Sequence, residues 1–170
     1  MSFKTKMKIE FVDLNESDFK VIKEIYDYYI ENSTATFYTE KISIEELKEF
    51  IPFQNKKYKT FLIKDENECY GFCYISQYKK RQAYDRTAEV SLYLKPEYTG
   101  KGIGYTVLPF LEKTAKDNGI SVLIGIISGD NENSIKLFER NGYEKCGHLK
   151  QVGEKFNNIL DIVFYQKIMD

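Results

Sequence analysis

The run from Leu92 to Tyr105, L-Y-L-K-P-E-Y-T-G-K-G-I-G-Y, constrains the fold of this chain more than any other. Leu92, Tyr93 and Leu94 are apolar and β-prone, and Pro96 ends that run. Gly100, Gly102 and Gly104 then lead into Val107, Leu108 and Leu111, which recur at helical spacing. A strand therefore feeds a helix through a glycine-rich loop. Glycines let backbone N–H groups come close to a ligand, and the first turn of a helix carries N–H groups without intrahelical partners at the positive end of its dipole. This junction is built for an anion such as a phosphate. The loop is not a P-loop, because Lys101 lies between glycines and no Ser or Thr follows it. Nor is it the dinucleotide fingerprint, which would need glycine at Tyr105 or Val107.

The rest of the chain alternates strand and helix signals. Lys8 to Val12 alternates apolar and polar residues as a strand does. Asn15 or Ser17 caps a helix through Phe19, Ile22, Ile25, Tyr26, Tyr29 and Ile30. A loop from Asn32 to Phe37 follows, and Ser43 with Glu46 forms a capping box for a short helix stopped at Pro52. Thr60–Ile63, Tyr70–Gln77 and Thr87–Leu94 read as three strands with short links, which is an antiparallel meander. The helix after the glycine loop runs to Asn118 and is closed by Gly119. Val122–Ile127 is an apolar strand of the kind buried on both faces. Asp130 or Asn131 caps a last helix that ends at Asn141-Gly142, before strands at Tyr143–Leu149 and Asn158–Ile168.

A chain of 170 residues suits one domain spanning 1–170. With 25 Lys and Arg against 26 Asp and Glu, there is no global basic excess to drive binding to nucleic acid or anionic membrane. No apolar run approaches the roughly 20 residues that span a bilayer, and the polar start is unlike a signal peptide. A cytoplasmic protein is expected. Cys69, Cys73 and Cys146 lack a second pair for a zinc site, and the chain has one histidine, so no metal is expected.

The glycine block, read as Thr99, Gly100, Lys101, Gly102, Ile103 and Gly104, resembles the coenzyme A pyrophosphate loop [QR]-x-x-G-x-[GA] of the GNAT superfamily of N-acyltransferases. Thr99 departs from that pattern, although such a loop binds mainly through its backbone. The segment Tyr78–Leu94, with N-S-T-A-T-F at Asn32–Phe37, D-N-E-N-S-I at Asp130–Ile135, N-G-Y at Asn141–Tyr143 and V-G-E-K-F…L-D at Val152–Asp161, is similar to the phosphinothricin acetyltransferase subgroup. The matches run in the subgroup's order along nearly the whole chain. The resemblance implies an α+β fold, a mixed sheet with helices on both faces, and acetyl-CoA as co-substrate.

It also implies roles for particular residues. Acetylation of an amine needs a base, and Glu89 stands at the subgroup's proposed base, with Asp161 a weaker carboxylate candidate. Cofactor contacts fall on Leu92, Tyr93, Leu94, Gly100, Lys101, Gly102, Ile103, Gly104, Tyr105, Asn131 and Ser134. Backbone N–H groups of Leu92 and Leu94 would polarise the thioester if a strand splay exposes them. Substrate contacts fall on Phe37, Lys79, Lys80, Arg81, Tyr84, Val90 and Ser91, with Lys79 to Arg81 supplying positive charge for a carboxylate. Phe138 occupies the position where many GNAT enzymes carry tyrosine and the subgroup usually histidine, so the acid that protonates the thiolate falls to Tyr84, Tyr93, Tyr143 or water.

The leading expectation is an acetyl-CoA-dependent N-acetyltransferase of small amino-acid-like amines, of phosphinothricin or methionine sulfoximine type, with a homodimer possible. An enzyme acting on a protein amino terminus or an antibiotic amine, and a non-catalytic acyl-CoA-binding module, are the alternatives.

Overall fold

In the computed structural model, which describes residues 7–169, the alternating patterns resolve into seven strands and four helices. In chain order these are β1 (Glu10–Asp13), α1 (Phe19–Asn32), α2 (Ile44–Phe50), β2 (Thr60–Lys64), β3 (Cys69–Gln77), β4 (Thr87–Leu94), α3 (Gly104–Asp117), β5 (Val122–Ser128), α4 (Glu132–Arg140), β6 (Glu144–Lys155) and β7 (Asn158–Ile168). They form one sheet of order β1-β2-β3-β4-β5-β7-β6. Only β4 and β5 run parallel, across the α3 crossover, and the other pairs are antiparallel.

Two apolar layers cover the sheet. Helix α1 buries Phe19, Ile22, Ile25, Tyr26 and Ile30 with Leu47 of α2 against Leu62, Phe72 and Tyr74 on one face. On the other face, Val107, Leu108, Leu111 and Ala115 of α3 and Phe138 of α4 pack on Ala88, Val90, Leu123 and Val163. The odd and even residues of β4 thus serve different layers, as the two-residue period of a strand requires. The first six residues and the last lie outside the described range.

The start of α2 is as its sequence implies, with Ser43 N–H donating to Glu46 Oε2 at 2.7 Å and Ser43 Oγ accepting from Glu46 N–H at 3.2 Å. Elsewhere the boundaries shift. β1 begins at Glu10, not Lys8, and Asn15 opens a short 3-10 turn ahead of α1. The largest departure is β6, which runs past Leu149 to Lys155. Its register with β7 jumps between Leu149↔Ile162 and Gly153↔Leu160, so residues 150–152 form a bulge. Asp161 holds that bulge, accepting from Gln151 N–H at 2.8 Å while its other oxygen meets His148 Nε2 at 2.7 Å. Those bonds keep the Asp161 carboxyl below its usual range.

Candidate active site

The parallel pairing of β4 with β5 involves only Thr87, Ala88 and Glu89. Past Glu89 the two strands part, and the edge of β4 that faced β5 is open. Lys95 N–H donates to Tyr70 O of β3 at 2.8 Å, so alternation turns Tyr93 toward β3 and Leu92 and Leu94 toward the gap. Tyr29 Oη donates to Leu94 O at 2.6 Å, which fixes that carbonyl on the open side.

A cleft of about 730 Å³ lies along this gap, lined by Leu92, Leu94, Gly100, Gly102, Ile103, Gly104, Tyr105, Asn131 and Ser134 with the Asn32–Ala35 loop. Gly100 and Gly102 adopt φ of +69° and +81°, a conformation that L side chains rarely take, and no atom lies within 4 Å of where a Cβ would stand on either. Tyr105 N–H turns back to Gly102 O at 3.2 Å and Val107 N–H to Ile103 O at 3.1 Å, which starts α3. The residues ahead of this ladder line the cleft at a helix N-terminus. Gly104 is small for another reason, since a Cβ there would sit 2.6 Å from Leu137. Asn131 caps α4, accepting from Ser134 N–H at 3.2 Å, while lining the same cleft.

A second cavity, of about 460 Å³, adjoins on the α1/α2 face, and Ala35 lines both. Its walls include Tyr26, Phe37, Tyr38, Tyr74, Glu89, Ser91 and Tyr93. Glu89 is largely enclosed; burial raises its carboxyl above the usual value, and the charge of Lys79 partly opposes this. A carboxylate so placed holds a proton more readily than one in water, which suits it to act as a base.

Lys155, 3% exposed, ties the β6–β7 hairpin to the loop that both cavities share. Its Nζ donates to Ser33 O at 2.6 Å, Thr36 O at 2.8 Å and Tyr29 O at 3.3 Å. Burial pulls its pKa below the usual lysine value. Gly153 allows the hairpin to meet Phe37, because a Cβ there would lie 2.4 Å from that ring. The sequence reading missed Lys155, Tyr29, Tyr26, Tyr38 and Tyr74 as site residues. Lys155 had a signal in the V-G-E-K-F motif; the tyrosines had none beyond their membership in core-facing patterns.

Several expected site residues stand elsewhere. Val90 points into the α3-side core, as its parity relative to Glu89 and Ser91 demands. Tyr93 lines the smaller cavity and not the larger cleft. Lys101 is exposed, with its ammonium 5.0 Å from the Tyr98 ring centre, and lines neither cavity. Lys79, Lys80, Arg81 and Tyr84 are exposed on the β3–β4 connection and line neither. Tyr84 packs edge-on against Tyr78, and Lys79 Nζ sits 5.2 Å from the Tyr78 ring centre. Phe138 is in the core, against Gly125 and Tyr143, so a side chain at this position does not reach either cavity. Tyr143 is buried beside it, which leaves Tyr93 as the one of the three phenols that lines a cavity.

The chain matches the model of the GNAT acetyltransferase domain over residues 11–164, and it belongs to that family. It is 28% identical over 159 residues to the phosphinothricin N-acetyltransferase of Streptomyces viridochromogenes, covering 94% of this chain and 87% of the relative. It is 27% identical to the L-methionine sulfoximine/L-methionine sulfone acetyltransferase of Pseudomonas paraeruginosa, with 93% of each chain covered. Among solved structures, a phosphinothricin acetyltransferase of Sinorhizobium meliloti in complex with acetyl-CoA superposes with a TM-score of 0.88 at 31% identity, covering 96% of this chain and 89% of that one. The fold is the GNAT fold, the activity of the family is N-acetyl transfer, and its acyl donor is acetyl-CoA. The open glycines and the helix start suit the pyrophosphate of such a donor, and the free edge of β4 suits the arm that carries its thioester. Among the described residues no group of His, Cys, Asp and Glu is arranged to hold a metal, and no helix is long and apolar enough to cross a membrane.

Proposed function

We propose that the protein transfers acetyl from acetyl-CoA directly to the amino group of a small amino-acid-like compound. The observation that carries this reading is the placement of a half-buried carboxylate, Glu89, in a cavity that meets the larger cleft where β4 and β5 part. Glu89 takes the proton of the incoming ammonium, directly or through water, and leaves a neutral amine to attack the thioester carbonyl. N–H groups of Leu92 and Leu94 on the open edge stabilise the oxyanion that forms there. A thiol is acidic enough to depart with water as proton donor, and Tyr93 is the phenol best placed to assist. Lys79 and Arg81 attract the substrate carboxylate at the mouth. A cavity of about 460 Å³ suits a free amino acid better than a polypeptide terminus.

The same reading has the enzyme in the cytoplasm as a homodimer, supported by exposed Leu149, Val152, Phe156 and Ile159 on the β6–β7 ribbon. Acetyl-CoA at about 100 times its dissociation constant should stabilise the fold by ~2.7 kcal/mol. Thermal unfolding with the cofactor, followed by thiol release with an amino-acid panel, tests the reading; no thermal shift would overturn it.

A further inference from the structure

The smaller cavity is built as an aromatic box with one acid in it. Tyr26, Phe37, Tyr38, Phe50, Tyr74 and Tyr93 line it, and Glu89 is the one charged residue among those that do. The rings brace one another: Tyr38 stacks on Phe50 at 5.9 Å, Tyr26 meets Phe50 at 5.7 Å, and Tyr26 meets Tyr93 edge-on at 5.2 Å. No cation is among its lining residues to receive an anion. Tyr26 Oη shares a hydrogen bond of 2.7 Å with Thr36 Oγ1, and Ser128 Oγ donates to Asp130 Oδ1 at 2.6 Å. The nearest buried cation, Lys155, has its ammonium directed at three carbonyls. Lys79 and Arg81 remain outside, on the exposed β3–β4 connection.

From this arrangement, and resting on the N-acetyltransferase reading above, we infer that the enzyme selects amino acids with a neutral, apolar or polarisable side chain and rejects those with a second anion. The substrate's amine lies at Glu89 and its α-carboxylate at the mouth toward Lys79. Its side chain is then the part that enters the box. There a thioether, sulfone or aromatic ring gains contact with ring faces and edges. A phosphinate or second carboxylate would lose its water, find no cation among the lining residues and face the Glu89 charge. Of the two substrate types in the relatives' names, methionine sulfone fits this box and phosphinothricin does not.

The test uses the full-length protein with acetyl-CoA and a thiol-release assay. L-methionine, L-methionine sulfone and L-phenylalanine are compared with L-glutamate and L-phosphinothricin. The neutral set should exceed the anionic set in kcat/KM by about 100-fold or more, since an unpaired buried anion loses several-fold more than a hydrogen bond's worth of solvation. Phosphinothricin or glutamate within about tenfold of the best neutral substrate would overturn the inference and leave the transferase reading standing. Acetylation of neither set, with the acetyl-CoA thermal shift intact, would overturn the amino-acid reading and the inference together. Phe50→Arg, checked for folding by the same thermal shift, places a cation at the wall of the box. It should raise kcat/KM for phosphinothricin by about tenfold and lower it for methionine sulfone. A folded Phe50→Arg that leaves the ratio of the two unchanged would show that the side chain does not enter this cavity.

Discussion

The two cavities that meet at β4 are made of different material. The larger is shaped mostly by backbone: positive-φ glycines, the start of α3, the cap of α4 and the open strand edge. The smaller is shaped by side chains that arrive from α1, the Ala35–Tyr38 loop, α2, β3, β4, β5 and β7. A backbone site can take one universal donor with little regard for the residues around it, whereas a side-chain site is free to specialise. The family's common acetyl donor and its varied amines follow this division.

The sharpest way to separate the two is Glu89→Gln. Turnover should fall by about 10²-fold or more, and the acetyl-CoA thermal shift should stay. The deficit should shrink at high pH, where the amine is already neutral. The variant should also unfold at a higher temperature at pH 7. Burial raises the Glu89 carboxyl in the folded state, so the native protein holds the proton more tightly than the unfolded chain, and stability falls as pH rises through that window. A neutral amide removes that penalty. Equal melting temperatures across neutral pH would mean that Glu89 is better solvated than its enclosure implies.

Gly102→Val attacks the other cavity. A β-branched residue at φ +81° strains the loop by about 1–3 kcal/mol, and its side chain projects into the space kept open for the ligand. Acetyl-CoA affinity, measured by calorimetry, should fall by about tenfold or more, and the melting temperature of the free protein should drop by roughly 2–10 °C with the fold retained. Unchanged affinity would place the pyrophosphate elsewhere.

This division also explains what the sequence made legible. The loop Gly100–Gly104, the cap at Ser43 and the meander of β2, β3 and β4 depend on residues close in sequence, where propensity and turn chemistry are local. The candidate base Glu89 and the aromatic wall at Phe37 came from motif matching, and both line the smaller cavity. What failed depends on distant partners. Nothing local announces that Asp161 would hold a bulge at Gln151 and so carry β6 on to Lys155. Lys79, Lys80 and Arg81 share a short connection with β4, but their side chains need not follow the strand into the cavity. One error was avoidable, since Val90 has the wrong parity to sit beside Glu89. Phe138 repeats the apolar stripe of Ile135 at helical spacing and stands in the core as that spacing implies.

Lys155→Met tests whether the two cavities are as independent as their construction implies. The ammonium pins the Ser33–Thr36 segment, and Ala35 within that segment lines both. Replacing the ammonium by an apolar side chain leaves the Ser33 and Thr36 carbonyls without their donor and should lower stability by roughly 1–3 kcal/mol. The loop should also lose its anchor, and KM should rise by about threefold to tenfold for both the amine and acetyl-CoA, with a smaller change in kcat. A rise for one substrate alone would assign the loop to a single site.

The smallest expected effect concerns a charge on the β3–β4 connection. Lys79 lies outside both cavities, yet its field favours the ionised form of Glu89. Removing it in Lys79→Gln should raise the Glu89 pKa further, so the acid limb of kcat/KM moves to higher pH while the plateau for an amine without a carboxylate stays within about twofold. Salt offers an independent check, because Lys79 is exposed and its influence is screened. Raising ionic strength should move the limb of the native enzyme in the same direction as the substitution and should move the variant's limb less. A limb that ignores both salt and Lys79 would mean that a group other than Glu89 controls it, and the base would then have to be sought in solvent or at Asp161.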